Sequence, residues 1–162
     1  MVFIILNSYN NTKKGMVHNM SEIKVIFWTG SGNTEAMANA IVEGIKEAGK
    51  EGKAIFVSDI TPGDVKDDNV FALGCPAMGA EVLEEVDMEP FVEALDSMIS
   101  GKNIALFGSY GWGDGQWMRD WEARTTAAGA NLVNGEGLMC HEVPDDAALE
   151  ECKELGKQLA QI

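Results

Sequence analysis

The sequence predicts an α/β fold, a doubly wound five-stranded parallel sheet flanked by helices. Short apolar segments alternate with longer segments of helical period along the whole chain, the pattern of right-handed βαβ crossovers. The strand segments, such as Val25-Ile26-Phe27-Trp28, are apolar without alternation, as strands buried on both faces are. The connections after the first, third and fourth strands are the richest in glycine and the least helical. In an open parallel sheet, ligands bind outside the carboxyl ends of the strands, so these three loops converge on one site.

The elements follow in order. The first strand ends at Trp28, and Thr29-Gly30-Ser31-Gly32-Asn33-Thr34 breaks it. Met37, Ala38, Ile41, Val42 and Ile45 then carry a helix over 33–48, closed by Gly49. Residues 53–57 form the second strand, and Thr61-Pro62-Gly63-Asp64 a turn. The third strand spans 69–74 and is followed by a long loop, 75–85. Phe91, Leu95, Met98 and Ile99 predict a helix over 88–99. The fourth strand covers 102–108, a second long loop 109–115, and a helix 116–128 that stops at Gly129. The fifth strand is carried by 131–133 and 138–140, interrupted at Asn134-Gly135. The closing helix, 144–160, puts Leu149, Cys152, Leu155, Gly156 and Leu159 on one face.

At 162 residues the chain is expected to be one domain with a substantial core. Its 26 acids against 12 bases, a formal charge of −14, argue against nucleic acid and for a basic protein partner. Residues 1–20 contain Lys13 and Lys14 but no acid, which leaves 10 bases against 26 acids for the rest. This segment reads as a poorly ordered extension, with Met16 and Met20 as alternative starts and the domain proper over 21–162. Its apolar run Val2–Leu6 is too short for a signal-peptide core, and no run in the chain approaches a membrane span. Cys75, Cys140 and Cys152 show no CxxC spacing, and His18 and His141 no metal-ligand pattern. No disulfide framework, metal site or Ser-His-Asp site is expected, and a reducing compartment fits.

The loop 29–34 offers backbone N–H groups at a helix N-terminus, a geometry that binds phosphate. It has no lysine before its Ser/Thr, so it is not a Walker loop, and Glu35 stands where a dinucleotide fingerprint needs its third glycine. Neutral donors alone, among them Thr29, Ser31, Asn33 and Thr34, would hold the anion. The loop after the third strand reads Cys75-Pro76-Ala77-Met78-Gly79-Ala80-Glu81, and that after the fourth Ser109-Tyr110-Gly111-Trp112-Gly113-Asp114-Gly115. Trp112 between two glycines has nothing to hold it inward and suits a stacking platform for a planar ligand. Met78 is a candidate for the opposite face. Glu81 is placed to accept from a ring N–H. Trp117 and Trp121, one helical turn apart, read as a packed helix face.

From about residue 21 to 162 the chain resembles the short-chain flavodoxins of anaerobic bacteria. The match lies in WTGSGNTEAMA, GCPAMGAEVLEE and ALFGSYGWGDGQWMRDW, in that order. The resemblance implies strand order 2-1-3-4-5 in a three-layer sandwich and a low-potential one-electron carrier using non-covalent FMN. It implies that Thr29, Gly30, Ser31, Gly32, Asn33 and Thr34 wrap the phosphate. Met78 and Trp112 would cover the two faces of the isoalloxazine, Gly79 would face its N5, and Glu81 would accept from its N3–H. Pro76, Ala77, Ala80, Ser109, Tyr110, Gly111 and Gly113 complete the implied lining. Pro76 stands where some relatives have a phosphate-reaching serine, and Ala80 where relatives often have Asp or Ser. The expected partners are basic-faced redox proteins docking on an acidic surface of a cytoplasmic monomer. The competing expectation is a flavin-dependent quinone or NAD(P)H oxidoreductase on the same fold. A phosphoacceptor receiver is excluded, because Gly74-Cys75 and Trp28-Thr29 occupy its acidic positions.

Overall fold

Every strand of the sheet pairs in parallel, as the uninterrupted apolar strands require. The computed structural model describes residues 22–162. The expected extension, residues 1–20, lies outside the described residues, as does Ser21. The strands are β1 (Ile23–Phe27), β2 (Gly52–Phe56), β3 (Val70–Gly74), β4 (Asn103–Tyr110), β5 (Asn131–Leu132) and β6 (Leu138–His141). Between them run α1 (Asn33–Glu47), α2 (Met88–Leu95), α3 (Gln116–Ala127) and, last, α4 (Asp146–Ala160). The order across the sheet is β2-β1-β3-β4-β5, with β6 also pairing with β4. β5 and β6 are thus two pieces of one fifth strand, separated by a 3₁₀ turn at Val133–Gly135 where Asn134 takes φ 64°. This is the interruption the sequence places at Asn134-Gly135.

Alternate residues of each strand feed two cores. Val25 and Phe27 pack with Met37, Ile41, Leu155 and Leu159 under α1 and α4. Ile26, Phe71 and Leu73 pack with Leu95, Trp117 and Trp121 under α2 and α3. Trp117 and Trp121 are each 2 % exposed, as a packed helix face predicts.

Three boundaries differ from expectation by two residues or more. α2 stops at Leu95 rather than Ile99; Met98 N–H closes a turn onto the Leu95 carbonyl (2.8 Å), and Ile99 stays buried from that turn. Apolar period alone cannot tell a further helical turn from such a wrap. β4 runs to Tyr110, because β6 pairs with it there and takes Ser109 and Tyr110 out of the expected loop. α4 begins at Asp146 rather than Pro144, where the Asp145 carboxylate caps it by accepting from Ala148 N–H (2.8 Å).

α1 and α4 touch backbone to backbone. A Cβ on Gly44 would run into the Lys153 carbonyl, and one on Gly156 into the Ile41 carbonyl. Alanine normally gains about 1 kcal/mol over glycine in a helix. Here the obstacle is main chain that cannot rotate away, so the clash outweighs the propensity. Gly156→Ala should lower stability by about 1–2 kcal/mol in urea unfolding. An unchanged or raised midpoint would show that the two helices are not in this close contact.

Candidate functional site

Three loops meet at the carboxyl ends of β1, β3 and β4. The first leaves β1 through Trp28, whose N–H donates to the Gly74 carbonyl (3.0 Å) and so fixes the chain beside β3. Thr29 Oγ1 then accepts from Gly32 N–H (3.0 Å), closing a tight loop. Gly32 is left-handed at φ 95°, a conformation a side chain would resist, and serves as N-cap without any side-chain cap. The first helical bond runs from Ala36 N–H to the Gly32 carbonyl (3.0 Å). The N–H groups of Thr34 and Glu35 precede it and stand at the positive end of α1.

Thr34 is fully buried behind this loop. Its Oγ1 accepts from Ser109 N–H and shares a hydrogen bond with Ser109 Oγ, both at 3.4 Å. The start of α1 is thereby tied to the end of β4. The structure therefore puts the hydroxyl of Thr34, and that of Thr29, to work inside the scaffold of the loop, while Ser31 and Asn33 stand at the cleft.

The second loop continues the pairing beyond β3, with Ala77 N–H donating to the Ser109 carbonyl (3.1 Å). Met78 and Val82 then exchange both backbone bonds at 2.9 Å, closing a turn in which Gly79 has φ 47° and Glu81 φ 56°. Glu81 Oε1 accepts from Asp114 N–H (3.2 Å), which locks this turn to the third loop. Gly113 is left-handed at φ 85°, and a Cβ there would strike the Glu81 carboxylate. Arg119 holds the same loop from α3, donating to the Asp114 carbonyl and carboxylate. Trp112 projects 66 % exposed, which agrees with the reading that nothing holds it inward.

The three loops enclose a cleft of about 290 Å³, near the lower size of small-molecule sites. Gly30, Ser31 and Asn33 line one end, Pro76, Ala77 and Met78 one wall, and Ser109, Tyr110 and Gly111 the other. Thr29, Gly32 and Thr34 build the loop from behind. Gly79, Ala80, Glu81, Trp112 and Gly113 do not line the cleft. The structure adds Trp28 and Glu142 to the lining. Trp28 adjoins the phosphate-type loop in sequence and could have been included on that ground. Glu142 is brought in only by β6, where its N–H donates to the Tyr110 carbonyl (2.8 Å) and its φ is 60°. Among the described residues no lysine or arginine lines the cleft.

A roomier groove of about 630 Å³ runs between α1 and α4, but helix side chains line it rather than loop backbone. The three cysteines are buried, and burial pushes the Cys75 and Cys152 thiols up to about 12. Thiolate chemistry is thus disfavoured there. Among the described residues no cluster of His, Cys, Asp or Glu could hold a metal ion.

The flavodoxin family model matches residues 25–156. A flavodoxin of Clostridium beijerinckii is 48% identical over 140 residues, 86% of this chain and 100% of that one. A flavodoxin of Megasphaera elsdenii is 45% identical over 138 residues, 85% of this chain and 98% of its own. The solution structure of the two-electron reduced Megasphaera elsdenii flavodoxin superposes with a TM-score of 0.77 at 44% identity, covering 86% of this chain and 99% of that one.

The far end of the second loop is pinned by Glu84, which is 7 % exposed. Burial disfavours its charge, yet N–H donors of Val86 (2.8 Å), Asp87 (2.8 Å) and Met88 (2.9 Å) outweigh that and hold the carboxyl below the ordinary glutamate range. The carboxylate stabilises the fold fully above the unfolded-state value, about 4.3, and this contribution is lost as pH falls through the lower folded value. Glu84→Gln keeps one acceptor oxygen and loses the other. It should cost about 1–3 kcal/mol at pH 7. The gap from the parent should narrow as urea unfolding is repeated below about pH 4.3. Equal stability at pH 7 would mean the three N–H groups do not depend on this carboxylate.

Proposed function

Because the chain belongs to the flavodoxin family, we propose that the cleft between its three loops is where FMN sits, phosphate toward Thr29–Thr34 and ring toward Met78 and Trp112. The protein is an FMN-binding electron carrier and not an enzyme, so the oxidoreductase alternative is not favoured. When bound, FMN supplies the redox chemistry.

The observation that carries the placement is the N-terminus of α1, without a side-chain cap, at one end of a cleft lined by no lysine or arginine among the described residues. A phosphate suits that donor set. Backbone N–H groups and the helix dipole favour an anion without any basic side chain. Ser31 and Asn33 add side-chain donors at the mouth, and Thr29 keeps its own O–H while accepting from Gly32. Pro76 lies on the cleft wall and has no N–H to give, so the loop 29–34 must serve the phosphate without it. Met78 supplies a polarizable face for the ring, and Trp112 is free to swing onto the other. Glu81 spends Oε1 on Asp114 and retains Oε2 to accept a ring N–H. Gly79, at φ 47° with open space around its Cα, lets the Met78–Gly79 peptide reorient toward the ring.

Electrons pass to and from redox partners. We assign docking to the rim of the cleft. Trp112, Val82, Val86 and Val143 are exposed on the loops after β3, β4 and β6, and Glu85, Asp114, Glu142 and Asp145 stand exposed on the same loops. An apolar centre with an acidic border fits a basic-faced partner. The acidic border also opposes the addition of negative charge to the cofactor, which favours a low potential. A monomer in the cytoplasm completes this reading. Among the described residues no helix is long and apolar enough to cross a membrane.

FMN should bind far more tightly than riboflavin, since the loop donors act on the phosphate. Thr34→Ala removes the acceptor that Ser109 N–H uses and loosens the loop. It should weaken FMN by about 1–3 kcal/mol while leaving riboflavin nearly unchanged. Equal affinities for the two ligands in fluorescence titration would refute the assignment of the loop.

Electron transfer to a basic partner should slow with added salt, as screening weakens the attraction of the acidic rim. A stopped-flow rate that does not change with ionic strength would count against docking on this face.

A further inference from the structure

His141 ends β6 and stands in register with Tyr110 at the end of β4. Its Nε2 lies 3.0 Å from the Gly111 carbonyl oxygen. Its ring packs on that of Tyr110 with centroids 5.1 Å apart. A carbonyl only accepts, so Nε2 carries the proton in this contact. The carbonyl belongs to the Gly111–Trp112 peptide, and the described residues contain no cis peptide bond. In a trans peptide the N–H points opposite to the carbonyl. Holding the Gly111 oxygen against β6 therefore turns the Trp112 N–H away from β6. Among the described residues that N–H has no acceptor.

We propose that His141 is a positioning residue. Through the Gly111 carbonyl it fixes the Gly111–Trp112 peptide so that its N–H can serve the polar edge of the bound flavin, and it makes that service depend on pH. This rests on the FMN reading above. Donation to a carbonyl polarises the amide and strengthens its N–H as a donor. An imidazolium donates about twice as strongly as a neutral ring. It also places a positive charge beside a cleft that no lysine or arginine lines among the described residues. Among the described residues three groups face the ring. From β4 there is Tyr110, from the loop the Gly111 carbonyl, and from the next position Glu142, whose Oε1 lies 4.0 Å from Nε2. The His141 and Glu142 side chains are 59% and 68% exposed, so the ring is open to solvent. A glutamine can reproduce the hydrogen bond but not the titration, and an alanine reproduces neither.

The experiment measures the FMN dissociation constant from pH 5 to 8 for the full chain and for His141→Gln and His141→Ala. It is paired with NMR titration of the histidine ring in FMN-free and FMN-loaded protein, the signal being assigned by its loss in His141→Gln. Relative to His141→Gln, the parent should gain about threefold or more in affinity as pH falls across the histidine range. Titration of the FMN phosphate is common to both proteins and cancels. By linkage the histidine must titrate at a higher pH when FMN is bound. At pH 8, His141→Gln should match the parent and His141→Ala should bind about threefold or more weakly. Parallel pH curves for parent and His141→Gln, or a histidine titration that FMN does not move, would overturn the proposal while leaving FMN binding intact. Failure of all three proteins to bind FMN would overturn the FMN reading and this proposal together.

Discussion

The hydrogen bonds between Thr34 and Ser109 hold the site in one piece. They join the first residues of α1 to the end of β4 at full burial, where an unpaired hydroxyl or amide would cost about 1–3 kcal/mol. With that tie in place, the loop 29–34 has a fixed distance to the β4 loop. Ala77 N–H on the Ser109 carbonyl then brings the β3 loop to the same point. Three loops from three strands are in this way referred to a single residue. The left-handed turn at Gly32 can leave the α1 N-terminus open without the loop collapsing onto it.

Charge is distributed to match. The protein is strongly acidic, yet the α1 end of its cleft is lined by the neutral residues Gly30, Ser31 and Asn33 at a helix N-terminus. A basic side chain there would hold an anion through long-range attraction and would also steer an acidic ring of residues toward itself. Backbone donors act at contact range and leave the outer acids free to meet a partner. Glu81 contributes to the scaffold, one of its oxygens tying the second loop to the third. The ion pairs that Lys24 and Arg124 make, to Asp68 and to Glu89 and Asp96, are kept away from the cleft lining.

Much of this was legible in the residues. The strand β1, its loop and α1 announce themselves by an apolar run, a cluster of small polar residues and an immediate helical period, all within a few positions. The split fifth strand could be read from Asn134-Gly135, and the exposure of Trp112 from its flanking glycines. What escaped depends on pairing between distant segments. Ser109 and Tyr110 look like loop because the strand that extends β4 over them lies about thirty residues further on. The same pairing delivers Glu142 and His141 to the site, and nothing local marks either. Thr34 reads as a phosphate donor by position, but its hydroxyl is turned to Ser109 by a contact across 75 residues. The overrun of α2 has the opposite cause: Met98 and Ile99 keep the helical period and are buried by a turn instead.

The most direct test of one composite site is amide NMR of the 162-residue chain titrated with FMN. The architecture predicts slow-exchange shifts confined to three separated stretches, 29–35, 76–81 and 109–113, with His141 and Glu142 following them. The largest changes should fall at Thr34 and Glu35, whose N–H groups precede the first helical bond of α1. Shifts concentrated instead along the groove between α1 and α4, with the three loops unmoved, would contradict it.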